Sequence, residues 1–438
     1  MTILAKVGSF NTGTGAAAST VAVTGVGFTP KALILWWTKS TTTGSTDETV
    51  AGSINFGIGF VADTTHRNCT TYQSEDASAT TDSDTMFWSD AAVGVMTITG
   101  AVDGLLDLQS YDADGFTMVV DDQFTASYHI SYLALGGTDI TNVFAGTQAT
   151  PAATGNAAVT GVGFAPSVLF NWTGRGETTG TRADNAAIGF GCAVSTSQRG
   201  TTAIHSVNGV EPYAKSYGYG SETLSLGSTG GAGSTNMLIR GDLVSFNADG
   251  FTINWINTAA PRSHGYLAIK GGNWAVGSLT TRTDGADIAV TGLGFTPAFG
   301  LFSSVGVAQS TVDVATGNAM LSVGAFDSVS SRVAQAIMEV DGVADSKTAY
   351  SVEHDEVYIN FGTADAQVGL MDIKSVESAG FTCVMVDTDP SGAFVWYVTA
   401  GNTGWSNIAK INGVASSSIS KVDGVAVASI SKVNGIAV

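Results

Sequence analysis

Apolar residues in this chain come in short runs bounded by Gly, Ser, Thr and Asp, which is how buried strands read in a sequence. Ala32-Leu33-Ile34-Leu35-Trp36-Trp37 is the first such run, and residues 54–60 then alternate small and large side chains. Further runs occupy residues 92–99, 105–111, 116–120 and 128–135. The polar stretches between them read as loops, among them residues 41–52 and a long Ser/Asp/Thr-rich excursion over residues 72–90. No long stretch places apolar residues at i, i+3, i+4 and i+7, and each of the 55 glycines would cost a helix interior about 1 kcal/mol. The pattern predicts an all-β chain.

The pattern is written three times. Val23-Thr24-Gly25-Val26-Gly27-Phe28-Thr29-Pro30 returns as Val159-Thr160-Gly161-Val162-Gly163-Phe164-Ala165-Pro166 and as Val290-Thr291-Gly292-Leu293-Gly294-Phe295-Thr296-Pro297. Each copy is followed in register by a Gly-Phe-Thr step at Phe116, Phe251 and Phe381, and by a tyrosine at Tyr132, Tyr266 and Tyr397. Between them Gly59, Gly191 and Gly324 precede Arg67, Arg199 and Arg332 at one constant spacing. A period near 135 residues divides the chain into tandem antiparallel β-sandwiches at 1–137, 138–272 and 273–402. Three copies of one domain can close on one another as a single-chain pseudo-trimer or run as a linear string. The loops diverge most, at residues 206–234 and 340–352, so a common scaffold presents different surfaces.

Residues 403–438 change period. Ile408-Ala-Lys-Ile-Asn-Gly-Val414, Ile419-Ser-Lys-Val-Asp-Gly-Val425 and Ile430-Ser-Lys-Val-Asn-Gly-Ile436 place Asn-Gly or Asp-Gly between β-branched residues, the strongest short hairpin signal. Such units are too small to bury a core alone. The expectation is a β-repeat attachment tail in which Ile408, Ile419, Val422, Val425, Ile430 and Val433 dock on a partner surface or on copies of the tail.

Charge narrows the partners. With 37 acidic against 18 basic residues the net charge is −19, and no Lys/Arg cluster offers a nucleic-acid or anionic-membrane surface. Cys69, Cys192 and Cys383 occupy non-equivalent places, which encodes neither a shared disulfide framework nor a thiolate metal site and leaves them as small buried apolar residues. The N-terminal apolar run is too short for a signal peptide and no apolar segment is long enough to span a bilayer as a helix. Exit inside an assembled particle is the expectation.

Candidate chemistry is sparse. Asp112-Ala113-Asp114-Gly115 resembles the opening of a calcium loop, but the later copies read Asn247-Ala248-Asp249-Gly250 and Glu377-Ser378-Ala379-Gly380, which favours a polar turn and no metal. The glycine stretches lack a phosphate-cradle ending and open no helix. His66, His129, His205, His264 and His354 share no position across the repeats, so neither a Ser/His/Asp set nor a carboxylate pair emerges, and neither enzyme activity nor a cofactor is expected. Trp36 and Trp172 at strand ends could stack on a sugar or cap the core, and Arg67 and Arg199 could bond an anionic sugar or an acidic neighbour.

The Gly-Phe-x-Pro opening and the Gly-Phe-Thr strand followed by Tyr-Leu-Ala resemble the H-type lectin fold, a sugar-binding antiparallel sandwich that forms trimers. The whole-chain pattern, with Lys-Val-Asn-Gly repeats at Lys410, Lys421 and Lys432, resembles tailed-bacteriophage virion proteins. These resemblances imply sandwiches of jelly-roll or lectin-like type in a decoration protein, fibre or spike on the virion exterior. They also imply adhesion to host-surface glycans; the resemblance itself carries over no sugar-binding residue, and Trp36, Trp172, Arg67 and Arg199 are candidates by their residue chemistry. A glycan-depolymerising tail enzyme and a ligand-free capsid or tail cement are the alternatives.

Overall fold

The computed structural model describes residues 2–228, 235–258, 261–363 and 365–402, and beyond them the paired segments 410–411, 414–415, 421–422, 425–426, 432–433 and 436–437. Among the described residues every regular element is a strand. The first repeat forms β1 (Leu4–Asn11), β2 (Thr20–Thr24), β3 (Pro30–Thr38), β4 (Glu48–Ala51), β5 (Ile54–Val61), β6 (Arg67–Ser74), β7 (Ser83–Trp88), β8 (Val93–Met96), β9 (Val102–Asp112), β10 (Gly115–Asp122) and β11 (His129–Gly136). The second forms β12 (Asn142–Ala149), β13 (Gly155–Val159), β14 (Val168–Gly174), β15 (Ala183–Asp184), β16 (Ala187–Ala193), β17 (Arg199–Ser206), β18 (Ala214–Tyr219), β19 (Leu224–Gly227), β20 (Met237–Asn247), β21 (Gly250–Asn257) and β22 (Ser263–Lys270). The third forms β23 (Asn273–Thr280), β24 (Ile288–Val290), β25 (Thr296–Ser304), β26 (Ala319–Ser328), β27 (Ser331–Glu339), β28 (Thr348–Glu353), β29 (Tyr358–Phe361), β30 (Gln367–Glu377), β31 (Gly380–Asp387) and β32 (Phe394–Asn402).

Each repeat builds a larger sheet against a four-stranded one, all pairings antiparallel. The larger sheets run β1-β11-β3-β5-β6-β7, β12-β22-β14-β16-β17-β18 and β23-β32-β25-β26-β27-β28; the smaller run β2-β10-β9-β8, β13-β21-β20-β19 and β24-β31-β30-β29. Polar composition hid some strands. β4 and β7 lie inside the stretches expected to be loops, and β7, rich in Ser, Asp and Thr, is buried along its whole length. β18 and β28 occupy the matching stretches of the other repeats.

The repeats interlock. β15 of the second repeat pairs with β7 of the first, Ala183 opposite Thr85, and β4 of the first pairs with β28 of the third, Ala51 opposite Ala349. The third repeat reaches the second through the bridges Thr316 to Ser216 and Val314 to Asn236. Each repeat therefore lends a segment to one neighbour and receives one from the other, and the exchange closes on itself.

Packing follows the same rule. Phe116, fully buried, meets Phe10 and Tyr132 edge-on with centroids at 5.8 and 5.2 Å, and Phe251/Tyr266 and Phe381/Tyr397 repeat the contact at 5.1 and 5.2 Å. These cores lie between the two sheets of each repeat. A separate core draws on all three repeats, with Trp36 and Phe60, Trp172 and Phe190, and Val323 and Trp396 among its members. That is why all eight residues of β5 are buried: one face meets its own sandwich and the other meets its neighbours. Gly59, Gly191 and Gly324 also find their reason here, since a Cβ at these positions would lie 2.1 to 2.3 Å from the carbonyl oxygens of Ala92, Thr223 and Val357.

Replacing Phe116 by Ala should destabilise the full chain by about 3 to 5 kcal/mol, the range for removing a buried aromatic. Chemical denaturation followed by tryptophan fluorescence measures it. An unchanged midpoint would show that the Phe10/Phe116/Tyr132 cluster carries no stability.

Candidate functional site

The tryptophans proposed for sugar stacking sit in the shared core. Trp36 and Trp172 have no exposed surface, so neither presents a ring face to a sugar. Trp172 Nε1 donates to Asn68 Oδ1 at 2.6 Å across the seam between the first two repeats, and its ring meets Phe87 at 5.9 Å. In the third repeat Ser303 takes the tryptophan's position and Trp396 stands directly opposite it on β32. Trp36 and Trp172 face Ser131 and Gly265 in the same way, so each repeat keeps one tryptophan in the pair and the third reverses the order. The conserved pairing is a seam anchor.

The arginines are committed too. Arg67 Nε and Nη2 each donate to Asp107 at 2.8 Å, joining β6 of the larger sheet to β9 of the smaller. Arg199 reaches Asp242 at 3.4 Å and the Ser221 carbonyl at 2.7 Å; Arg332 reaches Asp372 at 2.9 Å and the Asp355 carbonyl at 2.6 Å. One guanidinium thus ties the two sheets of each sandwich. With these bonds made, Arg67 and Arg199 are structural clamps and not free anion receptors.

The repeated glycine motif and the Asp-x-Asp turn are two halves of one lock. Asp114 accepts from the backbone N–H of Gly25 at 3.1 Å and of Gly27 at 2.6 Å, and Asp249 accepts from Gly161 and Gly163 at 3.0 and 2.6 Å. All four glycines have φ between 81° and 86°, a left-handed conformation that other residues rarely adopt. Asp112 is held by the hydroxyls of Ser110 and Thr117 at 2.9 and 2.8 Å. Both carboxylates are spent on the turn.

Of the tail residues, Ile408, Ile419 and Ile430 lie outside the described residues. Val422, Val425 and Val433 belong to two-residue antiparallel pairs, Lys421–Val422 with Val425–Ala426 and Lys432–Val433 with Ile436–Ala437, preceded by Lys410–Ile411 with Val414–Ala415. Cys69, Cys192 and Cys383 are buried and unpaired.

The site that sequence reasoning missed lies where the second repeat's exchanged segment crosses to the first. A cavity of about 480 Å³ is lined by Arg175, Glu177, Thr178, Thr181, Arg182, Ala183, Asp184, Asn185 and Arg262. Three of the chain's eight arginines meet there. Arg182 lies 3.2 Å from Asp184 and 3.6 Å from Asp84, and donates to the Thr99 carbonyl at 3.1 Å, so it latches the segment to the first repeat. Arg262 pairs with Glu177, yet its buried Nε has no partner. Arg175 is half-buried and makes no hydrogen bond or ion pair among the described residues; burial, then repulsion from Arg262, lowers its pKa. No sequence signal gathers these arginines, because Arg262 comes from another strand and the segment's path depends on the exchange.

Asp84, at the back of this seam, is fully buried and neither carboxylate oxygen has a hydrogen-bond partner. Burial pushes its pKa up to about 7, against the pull of Arg182.

No model of a known protein family matches the chain, and a search of curated proteins finds no significant relative.

The Asp84 carboxyl gives the seam a pH dependence of definite sign. A pKa raised from 3.8 to about 7 means that the folded protein keeps a proton the unfolded chain has released. The stability this group contributes is complete below about pH 4 and is lost as pH rises through about 7. Asp84→Asn, which is neutral at every pH, should melt above the wild type at pH 8 and converge with it toward pH 4. A scan of melting temperature against pH that shows the same slope for both proteins would remove Asp84 as the cause.

Proposed function

We propose that this chain is a structural protein of the tailed-phage virion exterior, a decoration protein or fibre/spike built as a single-chain pseudo-trimer. In this reading it contacts host-surface glycans at the seam of its first two repeats. The observation that carries the glycan contact is the arginine cavity of about 480 Å³, which Arg175, without a hydrogen bond or ion pair among the described residues, lines together with Arg182 and Arg262. Guanidinium forks suit a sugar carboxylate or sulfate, while Thr178, Thr181 and Asn185 suit its hydroxyls. A net charge of −19 repels a polyanion at long range, so recognition rests on short contacts inside this cavity. The interlocked repeats support the structural half of the proposal, since a body that shares one core among three sandwiches resists shear and local opening.

Polygalacturonate, as an acidic glycan, should bind the full chain and dextran should not, and Arg175→Ala should weaken the acidic glycan at least tenfold with the fold intact by circular dichroism. Release of oligosaccharides would favour the depolymerase instead. Equal binding by wild type and Arg175→Ala would move the contact away from this seam, and no binding to any acidic glycan would leave a ligand-free cement.

Attachment is assigned to residues 403–438, whose hairpins recur with period 11. Such strands gain by adding to a sheet edge or to neighbouring tails, where backbone hydrogen bonds supply affinity. Deleting residues 403–438 should leave a folded body that no longer incorporates into particles or higher oligomers. Assembly like that of the full chain would place attachment on the sandwich faces.

A further inference from the structure

Beside the exchanged strand β4, two histidines of different repeats meet. His129 opens β11 of the first repeat, His354 follows β28 of the third, and their Nε2 atoms lie 3.2 Å apart with the ring planes at 86°. The other nitrogen of each ring is already engaged. His129 Nδ1 lies 3.3 Å from the Thr42 carbonyl oxygen, and His354 Nδ1 lies 3.1 Å from Asp47 Oδ1, the oxygen that also accepts the His354 backbone N–H at 2.9 Å. A carbonyl and a carboxylate only accept, so both Nδ1 atoms carry the ring proton. A neutral imidazole has one such proton, and full burial favours the neutral ring of His129. Two bare Nε2 lone pairs therefore face each other, an arrangement that is costly unless a cation lies between them. Asp47 also meets Glu353 and Asp355, one carboxylate oxygen of each within 4.8 Å of the others. That acidic group specifies no ligand by itself, but its charge favours a cation at the adjoining histidines.

We propose that His129 and His354 are the protein ligands of a Zn²⁺ site that joins the first repeat to the third. The spacing suits the ion: two imidazole nitrogens 3.2 Å apart, each about 2.05 Å from one Zn²⁺, subtend about 103° at it, close to the tetrahedral angle. A metal-bound imidazole donates its other N–H to a carboxylate or a backbone carbonyl, and here one ring does each. Imidazole without thiolate selects a transition metal over Ca²⁺ or Mg²⁺, and the near-tetrahedral angle favours Zn²⁺ over the tetragonal geometry of Cu²⁺ or Ni²⁺. The remaining positions fall to water, since His354 lines a cavity of about 360 Å³. An ion held there ties β11 to the segment after β28, next to the point where β4 crosses.

The test is calorimetric titration of chelator-treated full-length protein with ZnCl₂, alone and with excess CaCl₂, with melting temperature read alongside. Saturable Zn²⁺ binding that CaCl₂ leaves unchanged and a melting temperature that rises with free Zn²⁺ are expected, because an ion that binds only the folded form stabilises it by mass action. His129→Gln and His354→Gln should each lower Zn²⁺ affinity at least tenfold. His354 is partly exposed, so its variant covers the case in which His129→Gln, at a fully buried position, fails to fold. Wild-type protein without saturable Zn²⁺ binding overturns the proposal and leaves the pair as a hydrogen bond between two rings. Displacement of Zn²⁺ by CaCl₂ overturns it as well, as does an undiminished isotherm in either folded variant.

Discussion

The structure depends on one buried carboxylate. Glu339 is fully buried at the end of β27, where Tyr72 of the first repeat donates to one oxygen at 2.7 Å and Ser206 of the second donates to the other at 2.6 Å. Ser74, Ser206 and Glu339 are equivalent positions, each seven residues after the clamp arginine of its repeat, so three copies of one strand end converge on one point. Burying a carboxyl without partners costs several kcal/mol, and here the partners come only from other repeats. Burial raises the Glu339 pKa, and the hydroxyls of Ser206, Tyr72 and Ser74 pull against that rise. The central contact is therefore satisfied only when all three repeats are folded and docked. It penalises partial assembly as much as it rewards the complete one.

The same logic sets the tryptophan seams. Asn68 accepts from Trp172, and in the next seam Thr202, two residues further along the equivalent strand, lies 3.4 Å from Trp396 Nε1 and 2.7 Å from Ser303 Oγ. In the remaining seam Gln335 takes over, accepting from Thr38 and donating to Ser131, while Trp36 Nε1 is left without a partner. Each neighbour presents the same strand, β6, β17 or β27, to the back of the adjoining larger sheet. The polar residue chosen at that strand differs because the partner differs.

Much of this was legible. Three copies of Gly-x-Gly-Phe, Gly-Phe-Thr and the following tyrosine mark equivalent strands because these residues meet one another: Phe116 touches Tyr132, and the Asp114 turn holds Gly25 and Gly27. The run from Ala32 to Trp37 also carried a signal of burial on both faces, since a strand with one wet face alternates and this one does not. Reading Trp36 as a sugar platform took it for a strand-end residue when the covering layer was another repeat. β7 escaped because Ser83, Asp84 and Thr85 are polar, yet they are buried by β15 and the seam around it, which one repeat alone does not contain. The arginine cavity and the carboxylate group were invisible for a related reason. Arg182 and the carboxylates meet their partners only after a segment has crossed to another sandwich, while Arg175 and Arg262 meet through the pairing of β14 with β22.

That crossing gives a single chain a freedom that three identical subunits lack. In a symmetric trimer every seam carries the same residues, and a change at one is a change at all three. Here each seam is written separately: arginines and a buried Asp84 between the first and second repeats, carboxylates and paired histidines between the first and third. Between the second and third, a cavity of about 400 Å³ is lined by Trp274, Asn273 and Gln198. The strands cannot diverge in this way, because the Arg/Asp clamps, the close glycine approaches and the Phe/Tyr contacts bind every repeat to one backbone. Divergence is thus channelled into the exchanged segments, which contribute little to any single core but line the seams. A function that needs one specific pocket, and not three copies of it, can be placed at one seam while the other two remain free to hold the body together.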